Sequence, residues 1–203
     1  MRERYDVVVI GGGHAGIEAA AAAARIGAHT LLVTPNLEGI GQMSCNPAIG
    51  GVAKGTVVRE VDALGGIMAR ATDRARIQFR MLNRSKGPAV WAPRAQCDRG
   101  FYARSARAIL EEHRRVSLFQ GMVGSFVLDG DRVRGVRTET GQTFLANAVV
   151  LTAGAFLRGR IHIGGSPTVP AGRAGDRPSV RLAEQMEALG LEVARFKTGT
   201  PPR

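Results

Sequence analysis

Three glycines near the start of the chain have the spacing of a dinucleotide-binding turn. Gly11, Gly13 and Gly16 form G-x-G-x-x-G directly after the apolar stretch 7–10 and directly before an alanine-rich segment. In such a strand–turn–helix unit the first glycine permits the turn, the second lets the backbone approach a pyrophosphate, and the third lets the helix pack on the strand. The pyrophosphate lies at the helix N-terminus, where free N–H groups and the helix dipole favour an anion. The context predicts a bound dinucleotide; the alternative is a glycine-rich turn in an ordinary α/β protein.

The residues that would hold the nucleotide ribose are less clear. An NAD-type unit places an acidic residue at the end of its second strand, where this chain reads Thr34-Pro35-Asn36. Asn36 or a backbone group would have to substitute. Glu18 lies one turn into the first helix and either reaches the ribose or caps nearby amides; we favour capping. For His14 we expect the backbone N–H to matter more than the ring.

Cys45 is the side chain best suited to covalent chemistry. It lies in a glycine-rich loop between Ser44 and Asn46. A thiolate is a nucleophile, and positive charge or a helix N-terminus favours its formation. Lys54 or the free amides of the following helix would supply that environment. The alternative, favoured by the residues alone, is a small buried apolar side chain.

Hydrophobic periodicity and turn residues predict the elements that position these groups. The predicted segments are a βαβ unit over 5–36 (helix 14–26, strand 30–34), a loop and helical insertion over 37–115 (helices 56–64, 69–83 and 98–114, with 86–94 extended), a β-meander over 116–147, a return strand over 148–153, and a loop and helix over 154–203 (helix 179–189, capped by Ser179). This order predicts an α/β, Rossmann-like FAD/NAD(P)-binding domain. We expect three layers, with a parallel sheet and a β-meander, as the first part of a larger flavoprotein.

Composition excludes several classes of protein. The 203 residues are 44% hydrophobic and 22% charged, which suits a folded core. No apolar run approaches the ~20 residues needed to cross a bilayer, so we expect a cytoplasmic protein without membrane contact. Cys45 and Cys97 are the only cysteines. We expect them to be reduced thiols, with Cys97 structural, and we find no His, Cys or Asp cluster that fits a metal site.

The net charge leaves the partner open. A formal charge of +11 favours a polyanionic partner. The excess is almost all arginine, which a GC-rich genome would also produce. No dense basic run with interleaved aromatic residues marks an RNA-binding module.

Several stretches resemble the glucose-inhibited division protein A family. The matching stretches are Gly11-Gly-Gly-His-Ala-Gly16, Gly41-Gln-Met-Ser-Cys-Asn-Pro-Ala-Ile-Gly-Gly51, Lys54-Gly55, Glu60-Val-Asp-Ala-Leu-Gly-Gly66, Ser85-Lys-Gly-Pro-Ala-Val90, Arg94-Ala-Gln96, Val150-Leu-Thr152, Gly172-Arg-Ala-Gly-Asp176 and Lys197-Thr-Gly-Thr-Pro-Pro-Arg203. The Ser-Cys-Asn-Pro stretch is specific, because a generic flavoprotein would not carry it.

The resemblance implies the flavoprotein subunit that adds a carboxymethylaminomethyl or aminomethyl group to C5 of the wobble uridine of tRNA. It implies FAD as the cofactor, NADH as reductant, methylenetetrahydrofolate as one-carbon donor, and glycine or ammonium as nitrogen source. It also implies a homodimer that works with a GTPase partner. By position, the implied FAD contacts are Gly11, Gly12, Gly13, His14, Ala15, Gly16, Val123 and Ser179.

The resemblance also gives Cys45 a role. It implies a functional cysteine, whose attack at C6 of uridine would make C5 nucleophilic. Asn46, Gly50 and Gly51 would shape the loop beside the flavin ring, and we expect anion contacts from Lys54 and Lys197.

The chain departs from the family in length and in detail. Family members are much longer, so we expect a fragment or a truncated relative. Trp91, Pro93 and Cys97 differ from the family pattern. Two alternatives stay open: a stand-alone small FAD-dependent oxidoreductase, and a non-catalytic nucleotide-binding or dimerisation module.

Overall fold

A six-stranded sheet forms the centre of the fold. The computed structural model describes residues 4–173 and 175–196. The strands are β1 (Arg4–Ile10), β2 (Thr30–Thr34), β3 (Ala48–Gly50), β4 (Arg76–Leu82), β5 (Ala92–Cys97), β6 (Val116–Gln120), β7 (Val123–Asp129), β8 (Arg132–Thr138), β9 (Thr143–Leu151), β10 (Arg160–Ile161) and β11 (Val169–Pro170). The α-helices are α1 (His14–Arg25), α2 (Lys54–Ala63), α3 (Met68–Ala75), α4 (Arg99–Glu111) and α5 (Arg181–Ala188).

The central sheet has the order β6-β2-β1-β9-β8-β7. β6, β2, β1 and β9 run parallel, whereas β9, β8 and β7 are antiparallel neighbours. A smaller sheet has the order β3-β5-β4, and β10 pairs with β11. The Rossmann-like α/β fold with a parallel sheet and an antiparallel extension is confirmed.

Side chains of β1 alternate between two cores, one on each face of the sheet. Val9 packs with Leu32, Ile17 of α1 and Tyr102 of α4 on one face. On the other face, Val8 and Ile10 belong to a second cluster; its further members include Leu31, Phe144 and Leu182. Both faces are therefore covered, as is usual for parallel strands.

The first βαβ unit matches the sequence prediction closely. α1 ends at Arg25, its C-cap residue is Ile26, and Gly27 follows with φ +96°. That left-handed conformation suits glycine and explains the stop. β2 has the predicted bounds.

The prediction of one helix over 69–83 is wrong. α3 ends at Ala75, and β4 follows and pairs antiparallel with β5. The segment 76–82 alternates polar and apolar residues, which fits a strand, and its partner β5 is distant in sequence.

The predicted β-meander and return strand are also revised. β6 pairs parallel with β2 and so belongs to the nucleotide sheet rather than to the meander. β9 is one continuous strand, because its first residues pair with β8 and its later ones with β1. The antiparallel part therefore comprises β7, β8 and the start of β9.

Candidate functional site

The turn between β1 and α1 tolerates no side chain at two of its three glycines. Gly11 has φ +111°, and a Cβ there would lie 2.6 Å from the Thr152 carbonyl oxygen. A Cβ on Gly16 would overlap the Gly11 carbonyl oxygen. At Gly13, by contrast, no atom of residues 4–173 and 175–196 lies within 4 Å of the Cβ position. The turn is closed toward the protein and open on the side where a ligand would approach.

Thr152 fixes this turn, although its sequence context predicted no such role. Its hydroxyl donates to the Ile10 carbonyl at 2.8 Å and to the Gly11 carbonyl at 3.2 Å. Its amide donates to Ile10 at 2.9 Å. The available signals were its position at the end of the predicted return strand and its place in the matching stretch Val150-Leu-Thr152.

The amides at the opening of α1 have no hydrogen-bond acceptor in the part of the chain that the structure describes. Gly11 donates to Val33 and Ile17 donates to Gly13, but within the described residues the amides of 12–16 donate to no carbonyl or side chain. The first amides of a helix have no intrahelical partner and attract anions. The turn is thus suited to a pyrophosphate.

Cys45 lies beside this turn. Its side chain is exposed, and its loop and the start of α1 line one cavity of about 360 Å³. Residues that line it include His14, Gln42, Cys45, Gly50, Lys54 and Arg94. The structure therefore brings together the cofactor turn and the candidate nucleophile.

Two arginines from other parts of the chain donate hydrogen bonds to the Cys45 loop. Arg99, the first residue of α4, donates to the Cys45 carbonyl at 2.8 Å. Arg173 donates to Gln42 Oε1 at 2.6 Å and forms an ion pair with Asp176 at 3.0 Å. Neither contact with the loop was predicted, since both arginines are far from it in sequence.

His14 is uncharged at neutral pH. Burial, with a smaller contribution from the Lys54 charge, lowers the pKa of His14 from 6.5 to about 4. Its Nε2 is buried and has no hydrogen-bond partner in the described part of the chain. Its ring lies 5.6 Å from the Tyr102 ring, centroid to centroid. The ring therefore packs beside Tyr102 at the wall of the cavity.

Lys54 supplies a positive charge to the cavity. Its Nζ donates to the Ala48 carbonyl at 3.2 Å. Burial lowers the pKa of Lys54, and the negative charge of a Cys45 thiolate would raise it. The predicted anion contact of Lys54 stays a prediction; Lys197 lies outside the described residues.

Cys97 has a structural environment. It is 2% exposed at the end of β5, and burial raises the pKa of its thiol. Buried, protonated thiols are inert, which agrees with the prediction. The two cysteines of the chain therefore have opposite environments.

Val123, in the edge strand β7, is in contact with Ser179. Both are buried, and the Ser179 hydroxyl donates to the Val123 carbonyl at 3.3 Å. The predicted helix cap by Ser179 is wrong: α5 begins at Arg181, its N-cap residue is Val180, and no side chain caps it. The hydroxyl is engaged with β7 instead. A role for either residue in cofactor binding stays a prediction.

Glu18 and Asn36 both accept hydrogen bonds from backbone amides. The Glu18 carboxylate accepts from the Ile67 amide at 2.9 Å and the Met68 amide at 2.7 Å. It thereby caps the start of α3, which confirms the capping interpretation. Asn36 Oδ1 accepts from the Glu38 amide at 2.9 Å.

The described residues contain no group of His, Cys, Asp or Glu side chains arranged to bind a metal ion. They also contain no helix with the length and apolar character required to span a bilayer.

Comparison with known proteins identifies the family. The family model for glucose inhibited division protein A matches residues 6–203. GidA from Aquifex aeolicus is 50% identical to the chain with a TM-score of 0.93, and the match covers 98% of this chain and 33% of that one. The GidA-related protein from Thermus thermophilus is 26% identical with a TM-score of 0.67, over 92% of this chain and 68% of that one.

A more distant structure shares the fold alone. PqsL from P. aeruginosa is 16% identical with a TM-score of 0.59, over 96% of this chain and 48% of that one. The chain spans about a third of the length of the Aquifex aeolicus GidA that it matches. On the family match and this high structural similarity, the chain belongs to the glucose-inhibited division protein A family.

Proposed function

We propose that the chain binds FAD at the turn between β1 and α1. The support is the open space at Gly13 together with the unengaged amides of 12–16, which fit a pyrophosphate. We assign the adenosine end to the Val123 and Ser179 region. The proposed contacts are Gly11, Gly12, Gly13, His14, Ala15, Gly16, Val123 and Ser179.

The proposed activity is modification of the wobble uridine of tRNA. The chain would be the FAD-binding region of an enzyme that adds a carboxymethylaminomethyl or aminomethyl group to C5. FAD, when bound, supplies the redox chemistry, with NADH as reductant and methylenetetrahydrofolate as carbon donor. The observation that carries this proposal is the shared cavity of Cys45 and the start of α1, in a chain of this family.

Cys45 is the proposed nucleophile. Its thiolate adds to C6 of the uracil ring, and the C5–C6 π electrons move onto C5 and O4 as an enolate. C5 then forms a bond to the methylene carbon of the donor, as the C=N π electrons of the donor's iminium form move onto its nitrogen, so that the methylene links C5 to that nitrogen. Loss of the C5 proton to a base and departure of the thiolate from C6 restore the double bond. The step consumes no cysteine and leaves one new carbon–carbon bond.

The surroundings of Cys45 suit this role. Lys54 lines the same cavity as Cys45 and places an ammonium group there. Arg99 fixes the backbone carbonyl of Cys45, and Arg173 holds Gln42 three residues earlier. A nucleophile held in position loses less orientational freedom when it reacts.

The proposal includes partners of the whole protein. These are tRNA, a GTPase subunit and a second copy of the chain as a homodimer, in the cytoplasm. The positive charge of +11 supports a nucleic-acid partner.

Two cysteine variants test the proposal. In the full-length protein, Cys45→Ala should abolish wobble modification and retain FAD, because the thiol acts after cofactor binding. The matched control Cys97→Ala changes the other cysteine, which lies in the core, and should retain activity if it folds. Undiminished modification by Cys45→Ala would remove Cys45 from the mechanism.

A further inference from the structure

The small sheet forms a cationic wall of the Cys45 cavity. Its strand order is β3-β5-β4, and Arg94 of β5 lines the cavity. Arg80 of β4 is directly opposite Arg94 in the antiparallel register. Residues at directly opposed positions point to the same face of a sheet. Arg80 therefore extends the wall that Arg94 begins.

The two arginines have no acidic partner within 4–173 and 175–196. The eight ion pairs found there involve other arginines. Like charges directly opposite each other destabilise an antiparallel pair. Lys54, the first residue of α2, lines the same cavity as a third cation, and the Arg94 charge contributes to lowering the pKa of Lys54, after burial. An anion bound between these groups would relieve their repulsion.

Gly50 lets β3 approach the backbone of Pro93 and Arg94 closely. Gly50 is the register partner of Arg94 on β3 and has φ +104°. A Cβ there would overlap the Pro93 carbonyl oxygen, so the position excludes a larger side chain. Arg94 is half-buried, with the Arg80 side chain as its neighbour on the β4 flank and no side chain from Gly50 on the β3 flank.

We propose that Arg80 and Arg94, with Lys54, form a phosphate-binding subsite at the mouth of the Cys45 cavity. Guanidinium groups present N–H pairs that match phosphate oxygens in a bidentate manner. The subsite holds a phosphodiester of the RNA strand whose base enters the cavity. This assignment of the strand rests on the proposed function; the subsite itself rests on the arginine pair.

Charge-neutral variants test the subsite. The test variant is Arg80→Gln/Arg94→Gln. The matched control is Arg132→Gln/Arg160→Gln, which removes two exposed arginines that lie outside this sheet and outside the ion pairs above. The variant Arg80→Lys/Arg94→Lys keeps the positive charge but loses the paired N–H donors of the planar guanidinium groups. Circular dichroism and thermal melts establish that each variant folds.

The first arm measures binding of a fluorescent RNA stem-loop with a uridine in its loop, over a series of salt concentrations. The double glutamine variant should bind at least about tenfold more weakly, and the slope of log K against log salt should become shallower by about 0.7, because the contact with one phosphodiester of a single strand is lost. The control should keep the wild-type slope, and the lysine variant should keep the slope with weaker binding. A wild-type slope in the double glutamine variant would overturn the strand assignment.

Two further arms separate the sources of phosphate. FAD affinity should be equal in all variants; a selective loss in the glutamine variant would assign the subsite to the cofactor and overturn the strand assignment. Inorganic phosphate should raise the melting temperature of the wild type and the control more than that of the glutamine variant. If the wild type binds no RNA, the proposed function fails for this chain, and the phosphate melts alone decide the subsite. Equal shifts in all variants would overturn it.

Discussion

Alanine substitutions at Gly13 and Gly16 separate folding from cofactor binding in the same turn. A methyl group on Gly16 overlaps the Gly11 carbonyl oxygen and lies 2.9 Å from Thr152 Oγ1. Both neighbours are held by hydrogen bonds, so α1 must shift. Overpacking of this kind costs about 1–3 kcal/mol, and we expect the upper end because the contact is with backbone. For a chain of this length that corresponds to a fall of about 6–12 °C in melting temperature.

Gly13→Ala should behave in the opposite way. Gly13 has φ −73°, which alanine adopts without strain, and its Cβ position is open. Replacing glycine by alanine at a helix N-cap costs up to about 1 kcal/mol. The smaller entropy of the unfolded chain offsets about 0.4–1 kcal/mol of that cost. Stability should therefore change by less than about 0.5 kcal/mol, whereas a methyl group facing the pyrophosphate should weaken FAD binding at least about tenfold.

Thermal melts of the apo-protein and FAD titrations followed by flavin fluorescence provide the two readouts. Gly165→Ala is the matched control, because its Cβ position is also open and lies far along the chain from the turn. It should alter neither quantity. If Gly13→Ala binds FAD as tightly as the wild type, the pyrophosphate does not lie over Gly13. If Gly16→Ala melts like the wild type, the described packing of the turn is wrong.

Three further predictions concern single side chains. Glu18→Gln should destabilise the fold by about 1–3 kcal/mol, because a carboxylate that caps two amides is lost. Chemical denaturation measures this loss. The surface control Glu111→Gln should reduce the free energy of unfolding by under about 1 kcal/mol. The pKa of His14 is about 4 in the folded state and 6.5 in the unfolded state. Between these pH values the unfolded state binds more protons than the folded state. The folding stability that is present above pH 6.5 is therefore lost as the pH falls, by about 3 kcal/mol at most. His14→Gln should flatten that pH dependence in denaturant titrations; an unchanged slope would exclude His14 as its source. Iodoacetamide should label Cys45 in the folded chain before Cys97, because only Cys45 is exposed. Mass spectrometry of tryptic peptides measures the order of labelling. Equal labelling rates at the two cysteines would contradict this prediction.

Local signals predicted the nucleotide-binding unit well. The glycine spacing, the alanine-rich helix and the left-handed Gly27 act within a few residues of each other, so a sequence contains them directly. The capping role of Glu18 followed from its position one turn into α1, although its partner amides at Ile67 and Met68 were not predictable.

Long-range pairing decided the features that sequence reasoning missed. β4 is a strand because β5 supplies its hydrogen bonds, and β6 joins the parallel sheet because β2 is free to accept it. The Ser179 hydroxyl donates to the carbonyl of Val123, which is 56 residues away, rather than capping the helix α5 that follows it. Thr152 contacts the turn although it lies 142 residues after Ile10 and 141 residues after Gly11 in the sequence. Periodicity carries no information on such partners.

Amide NMR spectra of the chain titrated with FAD would decide whether the cofactor's diphosphate rests on the opening of α1. We predict the largest shift changes at the amides of 12–16, with smaller changes in the Cys45 loop across the shared cavity. Saturating FAD that leaves those amides unchanged, while shifting others or none, would contradict the cofactor site and the function proposed from it.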